Sequence, residues 1–362
     1  MGLAAFALGL ISLSGPRRSY DERITIETAT RSVSGIWHSA RTTEAPHLLY
    51  YLLMKPWLAA FGTSDWAARF PSVVFGALAA LVLTALGARL FGPIAGLVAG
   101  MTLATASFVL QFSQWARGYT LALFLAVLAT YAFVRALDEP RPRWVLLWAV
   151  AIVAACWVNL FAISALGAQI AAYLLVRPRP RPRLAVAAFG VVAAAVAPIV
   201  VLVATADNGQ LGWIPSPTLR RVAVETWNWS SRNPFALLAA AIGIGALVTG
   251  AARSARWKVV LVVGWTIAPF LVTLMLSAVQ PAFNSHYLLT GTAGLALLAG
   301  VGVASLPRRG GLALAALVVV GAGLQLAHYY VAPGRPFSSL FWRTGPAISG
   351  NDERHRSRRI AA

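Results

Sequence analysis

The chain has 362 residues, 59% of them hydrophobic and 11% charged, with a mean hydropathy of +0.71, a composition that excludes an ordinary water-soluble domain. A net charge of +19 would suit a nucleic-acid partner in a soluble protein, but arginines at the ends of apolar spans account for it without nucleic acid. The single cysteine, Cys156, excludes an internal disulfide framework and a multi-cysteine metal site.

In hydrocarbon every backbone N–H and C=O is paired inside the spanning element, so segments this apolar are helices or a closed barrel. Segments 184–204, 259–276 and 288–305 are uncharged and long enough to cross a core of roughly 30 Å, whereas barrel strands alternate over about ten residues. The predicted fold class is an all-α polytopic membrane protein with about eleven transmembrane helices.

In chain order, 1–14 is apolar and reads as a first span. A cleaved signal peptide fits less well, because Arg17 and Arg18 lie on the wrong flank and no small-x-small cleavage site is evident. A long first extracytoplasmic loop follows over 15–70. Within it Ile26, Ala29, Val33, Ile36 and Trp37 recur at helical spacing, which predicts an amphipathic helix in the membrane interface. Segment 47–60 is apolar but short and interrupted by Lys55 and Pro56. It reads as a second interfacial or re-entrant segment, with Tyr50, Tyr51 and Trp57 at headgroup depth. Further spans are predicted over 71–91, 93–112, 120–134, 144–158, 160–176, 184–204, 234–248, 259–278, 288–306 and 311–329, and the stretch 144–176 supplies two of them only by turning near Asn159. The whole of 1–329 reads as one domain, followed by a polar, disordered tail over 330–362.

Cations mark every second connection: Arg135, Arg141 and Arg143, then Arg177, Arg179, Arg181 and Arg183, then Arg253, Arg256 and Lys258, then Arg308 and Arg309. Those ends are cytoplasmic by the positive-inside rule, which places loop 15–70 outside.

That loop holds most of the legible chemistry. Asp21, Glu22, Glu27 and Glu44 crowd into it, and Asp21 follows the first span closely enough to sit beside the bilayer. A carboxylate there can take a proton from an acceptor hydroxyl as that oxygen attacks an electrophilic carbon; alternatively the acids are solvated and offset Arg17, Arg18 and Arg23. His47 reads as a packing or headgroup contact beside a functional role. Asp21, Glu22, Glu44 and His47 together could hold a divalent metal, although their spacing is not diagnostic. Arg117, in a short outer connection, can grip a phosphate oxygen or anchor a lipid headgroup. Trp213, Trp227 and Trp229 offer flat faces for sugar rings or serve as ordinary interfacial tryptophans.

Taken in order, Asp21 and Glu22, the run from Glu44 through Ala45, Pro46, His47 and Tyr50–Tyr51 to Met54, then Phe61–Ser64 and Arg69–Ser72 resemble bacterial membrane glycosyltransferases. The type is that of the protein mannosyltransferases and aminoarabinose transferases, with the GT-C fold, similar to glycosyltransferase family 39. The likeness covers about the first third of the chain and recurs faintly at Gln114–Tyr119 and His286–Tyr287.

The resemblance implies a multi-pass protein of the bacterial inner membrane with its site facing outward. It implies inverting transfer of a sugar, mannose or a related hexose or pentose, from a polyprenyl-phosphate donor to a hydroxyl acceptor. Asp21 would be the base; Glu22, Glu44, His47, Tyr50 and Tyr51 would line the acceptor or donor pocket, and Arg117 with His286 would meet the phosphate. Expected partners are the lipid-linked donor and membrane lipids. Beyond a possible divalent metal, no cofactor is implied. Two positions depart from the pattern: Trp115 stands where relatives carry a glutamate, and His286 where they often carry an arginine. Many spans and few charges also suit a transporter or flippase of a lipid-linked or anionic solute, although no acid lies within the spans and no repeat is visible. A non-catalytic assembly subunit fits the two departures.

Overall fold

A computed structural model describes residues 1–15, 17–139, 141–177, 181–205, 214–250 and 256–331, with 43–45 described by backbone alone. Among these residues every regular element is helical. The first, α1 (Gly2–Leu10), stops short of the span predicted over 1–14. The carbonyls of Gly9 and Ile11 both accept from Gln114 Nε2, at 2.9 and 2.8 Å, and Ser12 adopts a φ of 52°. A side-chain amide has taken carbonyls that another helical turn would have used.

The single amphipathic helix predicted in the outer loop is two helices, α2 (Tyr20–Thr30) and α3 (Val33–Ser39). Ser32 separates them by capping α3, accepting the Gly35 N–H at 3.1 Å. The break resets the helical phase, so Ile26, Ala29 and Ile36 are buried while Val33 and Trp37 face outward. A π turn (Ala40–Glu44) and a 3₁₀ turn (Ala45–His47) lead into α4 (Leu48–Phe61). At 14 residues α4 is about 21 Å long, shorter than a bilayer core of about 30 Å. Tyr50 and Tyr51 are fully buried, which corrects their expected place among lipid headgroups: α4 packs on α2, and both rings point inward.

Helix α5 (Asp65–Phe91) begins six residues before the predicted span, because Ser64 caps it through the Ala67 N–H. Pro71 inside it has no N–H to offer the Ala67 carbonyl. Trp57 Nε1 donates to that carbonyl at 2.8 Å instead, so α4 repairs the defect and is tied to α5. The span predicted over 93–112 is broken into α6 (Pro93–Thr105) and α7 (Ser107–Ser113) by a 59° bend. After α8 (Tyr119–Asp138) come α9 (Pro142–Val158) and α10 (Ile163–Leu175). They turn at Asn159 as expected, its side chain accepting the Phe161 N–H at 3.0 Å. The remainder is α11 (Pro182–Thr205), α12 (Leu219–Trp229), α13 (Pro234–Gly250), α14 (Arg256–Leu276), α15 (Gly291–Ser305) and α16 (Arg308–Val331). Helix α12 was not foreseen, and it meets α13 at 94°.

By length and composition α5, α8, α11, α14 and α16 suffice to cross a membrane, and the bent pairs α6–α7 and α12–α13 raise the number to seven. The expected count of eleven does not follow, because segments read as full spans, α9, α10 and α15 among them, are shorter apolar helices. The all-helical membrane fold class stands. Helix α15 is the central post, buried along most of its length against α6, α13 and α14. Its glycines permit this: a Cβ on Gly302 would lie 1.8 Å from the Ala239 carbonyl oxygen, and one on Gly300 2.2 Å from that of Ala95. Helices α11 and α16 instead present Val186, Val191, Leu312 and Leu324 outward, the apolar surface that lipid covers. Helix α16 carries the chain to Val331; the rest of the expected tail lies outside the described residues.

Candidate functional site

The start of α2, the first turns of α5 and the connection from Gln114 to Tyr119 converge on one carboxylate. Ser19 and Glu22 form a capping box at the head of α2, the arrangement that satisfies two orphan N–H groups at once. Glu22 does more than cap. Its Oε1 accepts from Arg69 Nε at 2.6 Å and the Ala116 N–H at 3.1 Å, and its Oε2 accepts from Arg69 Nη2 at 3.0 Å and the Ser19 N–H at 2.9 Å. Arg69 Nη1 continues to the Leu13 carbonyl at 2.8 Å. Both side chains are almost wholly buried, so the pair is tolerable only because its hydrogen bonds are filled. Expected to line the acceptor or donor pocket, Glu22 has its oxygens taken up by Arg69 and by the Ser19 and Ala116 N–H groups.

Asp21 lies one residue earlier, about 100° around the helix, and is half-buried. Its charge acts on Tyr119 and His286. Among the described residues no donor bonds to its side chain, and an unpaired carboxylate is a group that can accept a proton.

Arg117 is 5% exposed. Its Nη1 donates to Tyr51 Oη at 2.8 Å and Thr25 Oγ1 at 3.3 Å, and it also bonds to the Tyr119 side chain. Ser72 Oγ holds its carbonyl at 3.4 Å. The next residue is glycine because a Cβ there would fall 2.8 Å from Val158 Cγ1 and 3.2 Å from Tyr50 Cγ. The same connection is fixed at its start by Gln114, which bonds to the end of α1 and accepts from Tyr329 Oη at 2.8 Å. First and last described helices thus hold the loop that carries Arg117.

Tyr119 stands between two imidazoles, its ring centroid 6.2 Å from His47 and 5.6 Å from His286. His286 also meets Phe112 at 5.2 Å and Trp115 at 5.8 Å. Burial pushes the His47 pKa well below its ordinary value and the Arg117 charge adds to this, against a raising hydrogen bond to the Val158 backbone. Burial likewise lowers His286 to about 4, with Asp21 opposing and Arg117 reinforcing. Both rings are therefore neutral at physiological pH. A neutral imidazole can give a phosphate one hydrogen bond but no charge, so the charge for an anion comes from Arg117.

The His286 backbone is held by the Asn284 side chain, whose Oδ1 accepts its main-chain N–H at 3.0 Å, while Glu225 Oε2 accepts the Ser285 main-chain N–H at 3.2 Å. Trp229 donates from Nε1 to the Leu288 carbonyl at 2.9 Å and packs on Phe270. That commitment removes Trp229 as a platform for sugars, whereas Trp227 is exposed. Trp213 and the side chain of Glu44 lie outside the described residues. Among the described residues no three His, Cys, Asp or Glu side chains converge as metal ligands, and Glu22 is occupied by Arg69. The sequence reading quoted Arg69 in Arg69–Ser72 and Gln114 and Tyr119 in Gln114–Tyr119 but gave them no role, and it missed Tyr329. Arg69 carried a usable signal, being a cation next to Phe70 and Pro71 in a stretch that is otherwise largely apolar.

Residues 44–205 match the family model described as dolichyl-phosphate-mannose-protein mannosyltransferase. Two solved structures of ArnT from Cupriavidus metallidurans, one in the apo state and one bound to undecaprenyl phosphate, match 93% of this chain at 17% and 16% identity, each with a TM-score of 0.61. The fold is that of ArnT. The chain spans 66% of the length of those ArnT chains. Among curated proteins none matches the sequence. The resemblance to GT-C membrane glycosyltransferases is borne out from two sides, and the family match begins at Glu44, where the longest of the motifs behind it begins.

Proposed function

We propose that this protein is a membrane glycosyltransferase that moves a sugar from a polyprenyl-phosphate donor to a hydroxyl acceptor at the outer face of a bacterial inner membrane. The observation that carries the proposal is the open carboxylate of Asp21, acting on Tyr119 and His286 beside the buried Arg117. An ArnT structure bound to undecaprenyl phosphate supports a lipid of that class, and the matched family description supports mannose or a related sugar. On this reading 1–329 works as a single unit.

The chemistry is a displacement at the anomeric carbon. The acceptor O–H gives its proton to Asp21 as its oxygen forms the new glycosidic bond, while the bond from the anomeric carbon to the phosphate oxygen breaks on the opposite face. One such displacement inverts the centre. Polyprenyl phosphate departs as an anion, so it needs no acid, and Arg117 offsets its charge in a site where such pairing is strong. The Glu22–Arg69 pair holds Asp21 and the Arg117 loop at a set separation, with Tyr50 and Tyr51 packed beneath. Glu44 belongs to the backbone turn that delivers His47.

The test is Asp21→Asn in protein that inserts and melts as the parent does. Transfer of labelled mannose from undecaprenyl phosphate should fall by about 10²- to 10⁴-fold; the parent rate would remove Asp21 from the scheme. The helices bent at Ala106 and between α12 and α13 are the feature a transporter would use. Movement of lipid-linked sugar between leaflets without release of polyprenyl phosphate would favour that second reading.

A further inference from the structure

His47 comes at the end of the 3₁₀ turn Ala45–His47 and is 7% exposed. Its ring lies 6.1 Å from Tyr51 and 6.2 Å from Tyr119, the two tyrosines that also bond to Arg117. The imidazole makes one hydrogen bond, to the Val158 backbone, and that bond favours the protonated ring, so its acceptor is a carbonyl. Val158 is the last residue of α9, where helix carbonyls have no partner along the chain. The other nitrogen, Nδ1, is buried and, among the described residues, has no hydrogen-bond partner.

In a neutral imidazole one nitrogen donates and the other accepts; with Nδ1 unpaired among the described residues, the bond to Val158 is assigned to Nε2–H, which leaves Nδ1 as the acceptor. A buried acceptor left unmade is costly, on the order of 1–3 kcal/mol, and the large majority of buried side-chain polar atoms have a partner. The ligand group that answers a buried neutral acceptor is a hydroxyl, which brings a donor without charge. A phosphate oxygen has no proton to give, and Arg117 already serves that role two tyrosines away.

We propose that His47 Nδ1 accepts a hydrogen bond from a substrate hydroxyl, making His47 a specificity-determining residue that recognises hydroxylated substrate next to the phosphate held by Arg117. The inference rests on the glycosyl-transfer reading and assigns one atom within it. The hydroxyl belongs either to the transferred sugar or to the acceptor, and the two sources separate kinetically.

Two amides provide the test, because each replaces one ring nitrogen. His47→Asn places an amide oxygen near the position of Nδ1 and gives up the Val158 bond. His47→Gln reaches the position of Nε2 and can keep the Val158 bond, but leaves nothing at Nδ1. Both are assayed in nanodiscs for transfer of labelled mannose from undecaprenyl phosphate, and for binding of undecaprenyl phosphate itself. Binding of the bare lipid phosphate should stay within about twofold of the parent in both variants. Transfer should fall at least tenfold further in Gln than in Asn, through the KM of the donor if the sugar supplies the hydroxyl, or of the acceptor if the acceptor does. Gln equal to or better than Asn would overturn the assignment and leave His47 as packing. A parent protein that binds the lipid phosphate yet transfers none of a panel of hexoses and pentoses carried on that lipid would overturn the glycosyl-transfer reading itself.

Discussion

Helix α5 carries an arginine–carboxylate pair near each end. Arg69–Glu22 closes at 2.6 Å with side chains 1% and 2% exposed, and Arg89–Asp138 at 2.7 Å with side chains 32% and 42% exposed. Their geometry is nearly the same and their physics is not. The exposed pair competes with water and salt and contributes little. In the buried pair neither charge has water to fall back on, so each partner is indispensable to the other. What a salt bridge does here is decided by depth and by the further donors that fill its oxygens, as Ser19 and Ala116 do for Glu22.

The largest effect should come from breaking the buried pair alone. Glu22→Gln leaves the Arg69 charge buried against a neutral amide, and denaturant unfolding in detergent should show a loss of about 3–5 kcal/mol. Replacing both, Glu22→Leu with Arg69→Met, should recover much of that stability while sugar transfer stays low, because Ala116 has lost its acceptor and Arg117 its anchorage.

Next in size is the acid response of the same end of the molecule. The unfolded chain holds a proton on His286 below about pH 6.5, the folded chain only below about 4. Between those values protons favour unfolding, so the contribution of this ring is fully present above about 6.5, declines as pH falls and levels off below about 4. The loss should reach roughly 3 kcal/mol. His47 acts in the same direction. Melting curves from pH 7 to pH 4 should therefore be flatter for His286→Gln than for the parent, with the slope due to His47 remaining.

A smaller loss is expected at the repaired proline. Trp57→Phe keeps the ring but leaves the Ala67 carbonyl without its donor, which should cost about 1–3 kcal/mol in the same unfolding assay. The exposed end of α5 sets the floor: Asp138→Asn should change stability by less than about 1 kcal/mol, and that difference should vanish in high salt. An Asp138 effect as large as that of Glu22 would mean that this end is buried by lipid or a partner, and the contrast between the two ends would fall.

Part of the site was legible because acids are scarce in this chain and adjacent loop acids stand out. Asp21, Glu22, His47, Arg117 and His286 were all singled out; the structure gathers Asp21, His47, Arg117 and His286 around Tyr119 and sets Glu22 against Arg69. The division of labour between Asp21 and Glu22 was not legible. Two carboxylates one residue apart look alike in a sequence, but 100° of helix rotation turns one toward Arg69 and leaves the other open. Tyr50, Tyr51 and Trp229 misled for a related reason: an aromatic near a membrane surface suits headgroups, sugars or a core equally well, and only the packing of α4 on α2 and of Trp229 on Phe270 chose the core.

The sequence by itself determined the solvent of this protein, its helical class, the turn at Asn159 and the loop in which its carboxylates lie, because hydropathy, polar spacing and scarcity of charge are properties of neighbours along the chain. Tertiary structure alone decided where helices break and which polar groups face one another. The end of α1 is held by Gln114, 105 residues from Gly9, Pro71 is repaired by Trp57, and Glu22 meets an arginine 47 residues away. Such bonds form only when distant segments are brought within about 3 Å, and no local pattern encodes them.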